Sequence, residues 1–285
     1  MEERVACVAQ GGPEALEVTE SDGDLLNSLR RRVSEAELAR SEAERANRAK
    51  DLFLAMLGHE LRAPLTSLLL QAQMLSRGRV MDAAKLARVG AAIERGTRMQ
   101  VQLIDDLLDA SRIASGQLEM ALEAVDLRAA VKAALEGVSL AARRKSIRLE
   151  VILDESVGAV AGDMTRLEQV VSNVLTNAIK FTPDRGQVSI TVDAQDGHAC
   201  IKVTDTGVGI APEVLPNIFE RFSRPDDSNT RGQGGLGLGL FIVRHLVERH
   251  AGTIHAESAG PGRGASFIVR LPLMKAQRES PDAPR

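Results

Sequence analysis

The chain has 285 residues, 44% of them hydrophobic, enough for one large domain or two ordinary ones with buried cores. Its formal net charge is −3, so no overall basic field draws it to nucleic acid or to an anionic lipid surface. Aromatic residues make up 2%, with no Trp or Tyr, which removes the stacking platforms of single-strand binders and leaves the core to aliphatic side chains and six Phe.

Residues 1–23 carry Gly11, Gly12 and Pro13 among scattered acids without a sustained period, and read as a mobile tail lacking the apolar run of a signal peptide. From residue 24 to 76 the pattern is helical. Leu26, Leu29, Val33, Ala36 and Ala43 make a coiled-coil seam in its first part, 24–52, and Arg40 and Asn47 interrupt it. A turn at 77–80 around Gly78 leads to a second helical run, 81–114, with Leu86, Val89, Ile93, Leu103, Leu107 and Ala110 at helical spacing. Two long helices joined by a short turn predict an antiparallel hairpin over 53–116. Its apolar stripes exceed what one hairpin can bury, which predicts a dimeric four-helix bundle and therefore a homodimer.

After Gly116 the period changes, marking a domain boundary and a multi-domain chain of α and α+β class. The pattern predicts a strand at 118–122, a helix over 127–144, strands at 147–153 and 159–162, and a helix over 163–181. Strands at 187–192 and 199–205, a long loop over 206–234, a helix over 236–250 and strands at 253–257 and 265–271 complete a domain spanning 117–274. Residues 275–285 are polar and contain Pro, as in a disordered tail. No stretch approaches the roughly 18–20 apolar residues that span a bilayer. Cys7 and Cys200 lack C-x-x-C spacing, so a cytoplasmic, reducing setting is expected.

Four clusters carry chemistry. In the first helix His59 is followed by Glu60, a carboxylate able to orient the imidazole and take its proton, and by Pro64, which frees the Glu60 carbonyl and should bend or loosen the helix one turn on. In the helix over 163–181, Asn173, Asn177 and Lys180 fall at i, i+4 and i+7, giving a face of two amides and an ammonium suited to a magnesium triphosphate. Asp205, at a strand end, precedes Gly207 and Gly209; a carboxylate there can accept from an exocyclic amine while the glycines admit a flat ring. Residues 232–240 place Gly235, Gly237, Gly239 and Leu240 at a helix start, where backbone N–H groups and the helix dipole attract phosphate.

The glycines at 232, 234 and 237 match G-x-G-x-x-G, yet they follow a polar loop rather than a strand, which argues against a dinucleotide fold. His198, His245, His250 and His255 have no metal-ligand spacing.

Taken in this order, the four clusters resemble the H box, N box and two glycine boxes of bacterial sensor histidine kinases, and Phe219-Glu-Arg-Phe222 resembles that family's phenylalanine box. The resemblance implies a dimeric phosphoacceptor hairpin followed by a Bergerat-type α/β sandwich that binds ATP and Mg²⁺. It makes His59 the phosphorylated nucleophile, Glu60 its base and Asn177 the Mg²⁺ ligand. Asn173 and Lys180 would lie at the phosphates, Asp205 at the adenine amine with Gly207 and Gly209 shaping that pocket, and Gly235, Gly237, Gly239 and Leu240 around the triphosphate beneath a lid over 210–234. The phosphoryl group would pass to an Asp of a response regulator or phosphotransfer protein.

Two competing readings keep the same residues. An ATPase clamp of the gyrase or chaperone kind would activate water with a carboxylate where this helix has Asn173, and would hydrolyse ATP without forming phosphoprotein. A non-catalytic dimeric scaffold would not need the amide, Lys, Asp and glycine positions intact. Gly58, Leu236 and Ala63 depart from the family pattern; Ala63 stands where many members carry a Thr or Asn that orients water for dephosphorylating the regulator. An Ala methyl cannot do so. Kinase activity is therefore expected to outweigh regulator phosphatase activity, and A63T should raise ATP- or ADP-stimulated dephosphorylation of a cognate regulator; rapid dephosphorylation by the unaltered chain would refute this.

Overall fold

The computed structural model describes residues 20–76, 82–223 and 236–274. The chain divides into two units, residues 1–55 and 56–285, each taken by itself. Helix α1 (Glu20–Ser76) begins in the first, four residues before its expected start at 24. Leu29, Val33 and Leu38 are solvent-exposed along this stretch. Arg40, expected to interrupt the seam, meets Glu44 one turn on at 2.8 Å, an exposed pair that adds little stability.

In the second unit the rest of α1 lies antiparallel to α2 (Ala83–Ala114). Gln100 Nε2 donates to the Leu61 carbonyl at 2.9 Å, and Gly96 sits against Leu68 so closely that a Cβ there would be 3.0 Å from its Cδ2. The turn expected at 77–80 lies outside the described residues. α2 starts at Ala83, two residues later than its period suggested, because Asp82 Oδ1 accepts from Lys85 N at 2.6 Å and caps it. Pro64 lies inside α1, which continues past it to Ser76. Leu65, Leu69, Leu70 and Met74 on α1, and Met99, Val101, Ile104 and Leu108 on α2, remain exposed.

The α/β part runs β1 (Glu123–Val125), α3 (Leu127–Arg144), β2 (Arg148–Leu153), β3 (Val160–Gly162), α4 (Met164–Phe181), β4 (Gln187–Gln195), β5 (His198–Asp205), α5 (Gly239–Arg249), β6 (Thr253–Glu257) and β7 (Ala265–Pro272). Asp126 and Asp163 cap α3 and α4, accepting from Arg128 N at 2.9 Å and Arg166 N at 3.1 Å. Five strands form a mixed sheet of order β2-β4-β5-β7-β6, parallel only between β2 and β4; β1 and β3 form a separate antiparallel pair. Alternation along the strands buries Val188, Ile190 and Val192, then Ala199, Ile201 and Val203, then Phe267, Val269 and Leu271. They share one core with Val131 of α3, Leu167 and Leu175 of α4, and Ile242 and Leu246 of α5. The result is the expected α/β sandwich.

In this part β4 runs three residues past its expected end at 192, and two element starts are displaced by three residues or more. The strand expected at 118–122 forms at Glu123–Val125, pairing Glu123 with Gly162; buried Leu118 instead offers its carbonyl to Arg249 Nη2. The helix expected from 236 starts at Gly239, because Gly237 is left-handed (φ 66°) while Leu236 and Leu238 are buried in irregular backbone.

Packing between the hairpin and the sandwich includes a closed polar triangle. Asp109 of α2, 4% exposed, accepts from Arg166 Nη1 at 2.7 Å and from Gln169 Nε2 at 2.8 Å, and Arg166 also reaches Gln169 Oε1 at 2.8 Å. Each charge thus has both a counter-charge and a hydrogen bond, the condition under which a desolvated pair persists.

Buried His250 ties α5 to the start of α4: its Nε2 accepts from Asp163 N at 3.0 Å, and its Nδ1 donates to the Leu246 carbonyl at 2.6 Å. Only the neutral ring can make both bonds, and burial pushes its pKa down. Its stabilising contribution is complete above the unfolded value of about 6.5 and is lost as pH falls toward the folded value. The thermal midpoint should therefore drop between about pH 7 and pH 5.5, and H250Q should drop less; parallel slopes for the two proteins would count against this role.

Candidate active site

α4 is amphipathic in a way that decides the site. Leu167, Val170, Val171, Val174, Leu175, Ala178 and Ile179 are buried, and their spacing leaves Asn173, Asn177 and Lys180 half-buried on the opposite side. The Asn173 Nδ2 is buried and has no hydrogen-bond partner among the described residues, a costly condition unless a ligand supplies an acceptor. Lys180 Nζ lies 4.8 Å from the Phe181 ring centroid. Gly239, the first residue of α5, approaches Asn173, since a Cβ there would be 3.9 Å from the amide; Leu240 beside it is half-buried. The N-terminus of α5 thus lies beside the Asn173 amide, and a helix N-terminus is a place where anions bind.

Asp205, 7% exposed, ends β5. Its Oδ1 accepts from Gly207 N at 2.8 Å and more weakly from Ala265 N at 3.3 Å. Burial raises its pKa, and the two backbone bonds counter that in part. Among the described residues both bonds fall on Oδ1, which leaves Oδ2 for a donor from a ligand. The glycines that follow are sterically required. A Cβ on Gly207 would lie 2.6 Å from the Phe181 carbonyl oxygen, and Gly209, at φ 70°, would bring one within 2.1 Å of the Gly260 carbonyl.

This loop is held by a segment that sequence reasoning missed. Ser258 Oγ accepts from Ile210 N at 2.9 Å and donates to the Gly264 carbonyl at 2.7 Å; Gly262 N donates to the Val208 carbonyl at 2.6 Å, and Gly264 N to that of Gly207 at 3.1 Å. The density of Gly and Pro over 258–264 was the available signal.

The expected lid begins with a 3-10 turn, Leu215–Asn217. Phe219 packs edge-on to Phe267 with centroids 6.4 Å apart, and the Arg221 guanidinium lies 4.6 Å from the Phe241 ring centroid. Phe222 N donates to the Gly237 carbonyl at 3.1 Å, so Gly237 anchors the end of this segment. Gly235 lies outside the described residues. His59 and Ala63 are on α1 with side chains outside the described ones; Glu60, also on α1, is half-buried. A cleft of about 410 Å³ between α2 and α4 is lined by Gln102, Asp105, Asp109, Arg166, Gln169 and Asn173.

Family models match both parts of the chain: "His Kinase A (phospho-acceptor) domain" at residues 49–116 and "Histidine kinase-, DNA gyrase B-, and HSP90-like ATPase" at 162–275. The chain belongs to the sensor histidine kinase family. It is 31% identical over 290 residues to the sensor protein GacS of Pseudomonas syringae pv. syringae, covering 98% of this chain and 32% of that protein. It is 34% identical over 260 residues to the sensor histidine kinase RcsC of Escherichia coli (strain K12), covering 89% and 26%. The full-length ShkA structure in complex with AMPPNP aligns with a TM-score of 0.58 at 32% identity, over 78% of this chain and 46% of that one. The chain therefore spans about a third or less of the length of these two curated relatives.

The family's glycine loop makes a conformational prediction. G207A must displace the Phe181 carbonyl or the loop and should cost about 1–3 kcal/mol of folding stability. G137A, in α3 with open space around it, should be neutral or gain up to about 1 kcal/mol. Chemical denaturation measures both, and a G207A as stable as the parent would contradict the packing described.

Proposed function

We propose that this chain is an ATP-dependent protein histidine autokinase that phosphorylates His59 and passes the phosphoryl group to an Asp of a response regulator or phosphotransfer protein. The observation that carries this reading is the buried Asn173 Nδ2, which has no partner among the described residues, on the helix face that also bears Asn177 and Lys180 and beside the N-terminus of α5. Asp205 Oδ2 would accept from the adenine amine, and the loop at Gly207 and Gly209 would lie along the ring. Lys180 and the α5 backbone N–H groups, from Gly239 and Leu240 onward, would neutralise phosphate charge.

The donor set suits Mg²⁺, a hard cation that takes oxygen ligands and keeps several waters. Asn177 would provide an amide oxygen, and bound Mg²⁺ would offset charge on the β- and γ-phosphates. In the transfer, His59 Nε2 forms the new N–P bond as the bond to the ADP oxygen breaks, and Glu60 takes the imidazole proton. Catalysis rests on in-line positioning and charge neutralisation. The exposed Leu and Met residues of α1 and α2 favour a homodimer through a four-helix bundle. No helix among the described residues is long and apolar enough to cross a membrane, in keeping with a cytoplasmic site of action.

Incubation with γ-labelled ATP and Mg²⁺ should label the chain with acid-labile, alkali-stable phosphate, and H59Q should reduce the label to background. Equal labelling of H59Q would exclude the His59 assignment; steady hydrolysis without phosphoprotein would favour an ATPase clamp.

A further inference from the structure

The C-terminal end of α4 poses a problem in its own sequence. The last carbonyls of a helix have no intrahelical partner. Here the residue four past Ile179 is Pro183, which has no N–H to give. Ala178 O is satisfied by Thr182, from both its backbone N at 3.0 Å and its Oγ1 at 2.6 Å. Ile179 O and Lys180 O are taken by one distant side chain: Lys145 Nζ, at the C-cap of α3, donates to them at 2.9 and 2.7 Å, and to Thr182 O at 2.9 Å. The remaining carbonyl, Phe181 O, accepts from Val208 N at 3.2 Å, inside the glycine loop that follows Asp205.

We infer that Lys145 is a positioning residue of the nucleotide site, whose ammonium occupies the Ile179, Lys180 and Thr182 carbonyls so that the Phe181 carbonyl is aimed at Val208 and holds the 207–209 loop in register. This rests on the nucleotide-binding reading above and adds to it a residue no motif contains. All three donors of the ammonium are used, each in charge-assisted geometry at a carbonyl end where the helix dipole is negative. The backbone of the same residue closes the clasp, since Lys145 O accepts from Arg185 N at 2.8 Å. Segment 179–185 is thereby fixed from one residue, and Lys180 and the 207–209 loop both hang from it. A Cβ on Gly207 would lie 2.6 Å from the Phe181 oxygen, so a small shift of that carbonyl moves the loop directly.

The test uses the full chain with K145M, which keeps the stem without donors, K145Q, which keeps one amide donor group, and K145R, which restores several charged N–H groups. In nucleotide-free protein, amide hydrogen exchange at Val208 should rise about tenfold or more in K145M, while exchange in the β4–β5 ladder stays unchanged. Affinity for the magnesium complex of a non-hydrolysable ATP analogue should fall about tenfold. The KM for ATP in autophosphorylation should rise with it, kcat at saturation should stay within about twofold, and K145R should recover most of the affinity. Should K145M not fold, K145Q takes its place with the same readouts. Unchanged Val208 exchange in a folded K145M or K145Q would overturn the positioning role whatever the ligand. A parent chain without nucleotide affinity would instead overturn the reading of the site and leave the exchange result to stand by itself. Losses of kcat and affinity in equal proportion, with the β4–β5 ladder also exposed, would identify a general stability defect and overturn the inference.

Discussion

α4 has to satisfy two environments at once, and the rest of the catalytic half follows from how it does so. Its seven buried apolar residues lie against the sheet and its helical neighbours, and each such side chain is worth about 1.5–3 kcal/mol when fully buried. A rotation by one residue, about 100°, would expose several of them. With that register locked, Asn173, Asn177 and Lys180 have one direction to face. The buried Nδ2 of Asn173, without a partner among the described residues, is the cost of that arrangement, and an acceptor oxygen of a bound phosphate would relieve it under the proposed function.

The two ends of the helix are held by different physics. At the N-terminus Asp163 caps it and His250 receives the Asp163 N–H, while Asp109 of the hairpin binds Arg166 and Gln169 of its first turns. At the C-terminus the ammonium of Lys145 and the N–H of Val208 take the carbonyls left unpaired when Pro183 ends the helix. One end is thereby coupled to the helix pair that carries His59, and the other to the loop that begins at Asp205. Both couplings run through polar groups whose desolvation makes them costly to break one partner at a time.

Much of this was legible in the residues. Helix α3 begins and ends where its period indicated, at Leu127 and Arg144, because Asp126 is a capping residue with an apolar run directly behind it. Asp205, Gly207 and Gly209 were readable because a strand that alternates until an Asp and then turns glycine-rich has few ways to continue. Failures came where the local pattern had two solutions. Leu236 and Leu238 fit a helix period, yet they are buried in irregular backbone because Gly237 takes a left-handed conformation. Leu118 and Leu122 look like strand residues, but the partner strand β3 pairs one step later, at Glu123–Val125. Lys145, Ser258 and the Asp109–Arg166 pair were invisible for another reason: their partners lie tens of residues away, and a lone Lys, Ser or Asp on a surface-like stretch has no periodicity to betray it.

On the proposed function, the amide face of α4 and the loop after Asp205 enclose one nucleotide. Isotope-labelled chain titrated with Mg²⁺ and a non-hydrolysable ATP analogue, followed by NMR, tests it at atomic sites. The side-chain amide signals of Asn173 and Asn177 and the backbone amides of Gly207 to Gly209 should shift together along a single saturable curve. Shifts confined to the α2–α4 cleft, or amide signals of Asn173 that stay fixed at saturation, would contradict it.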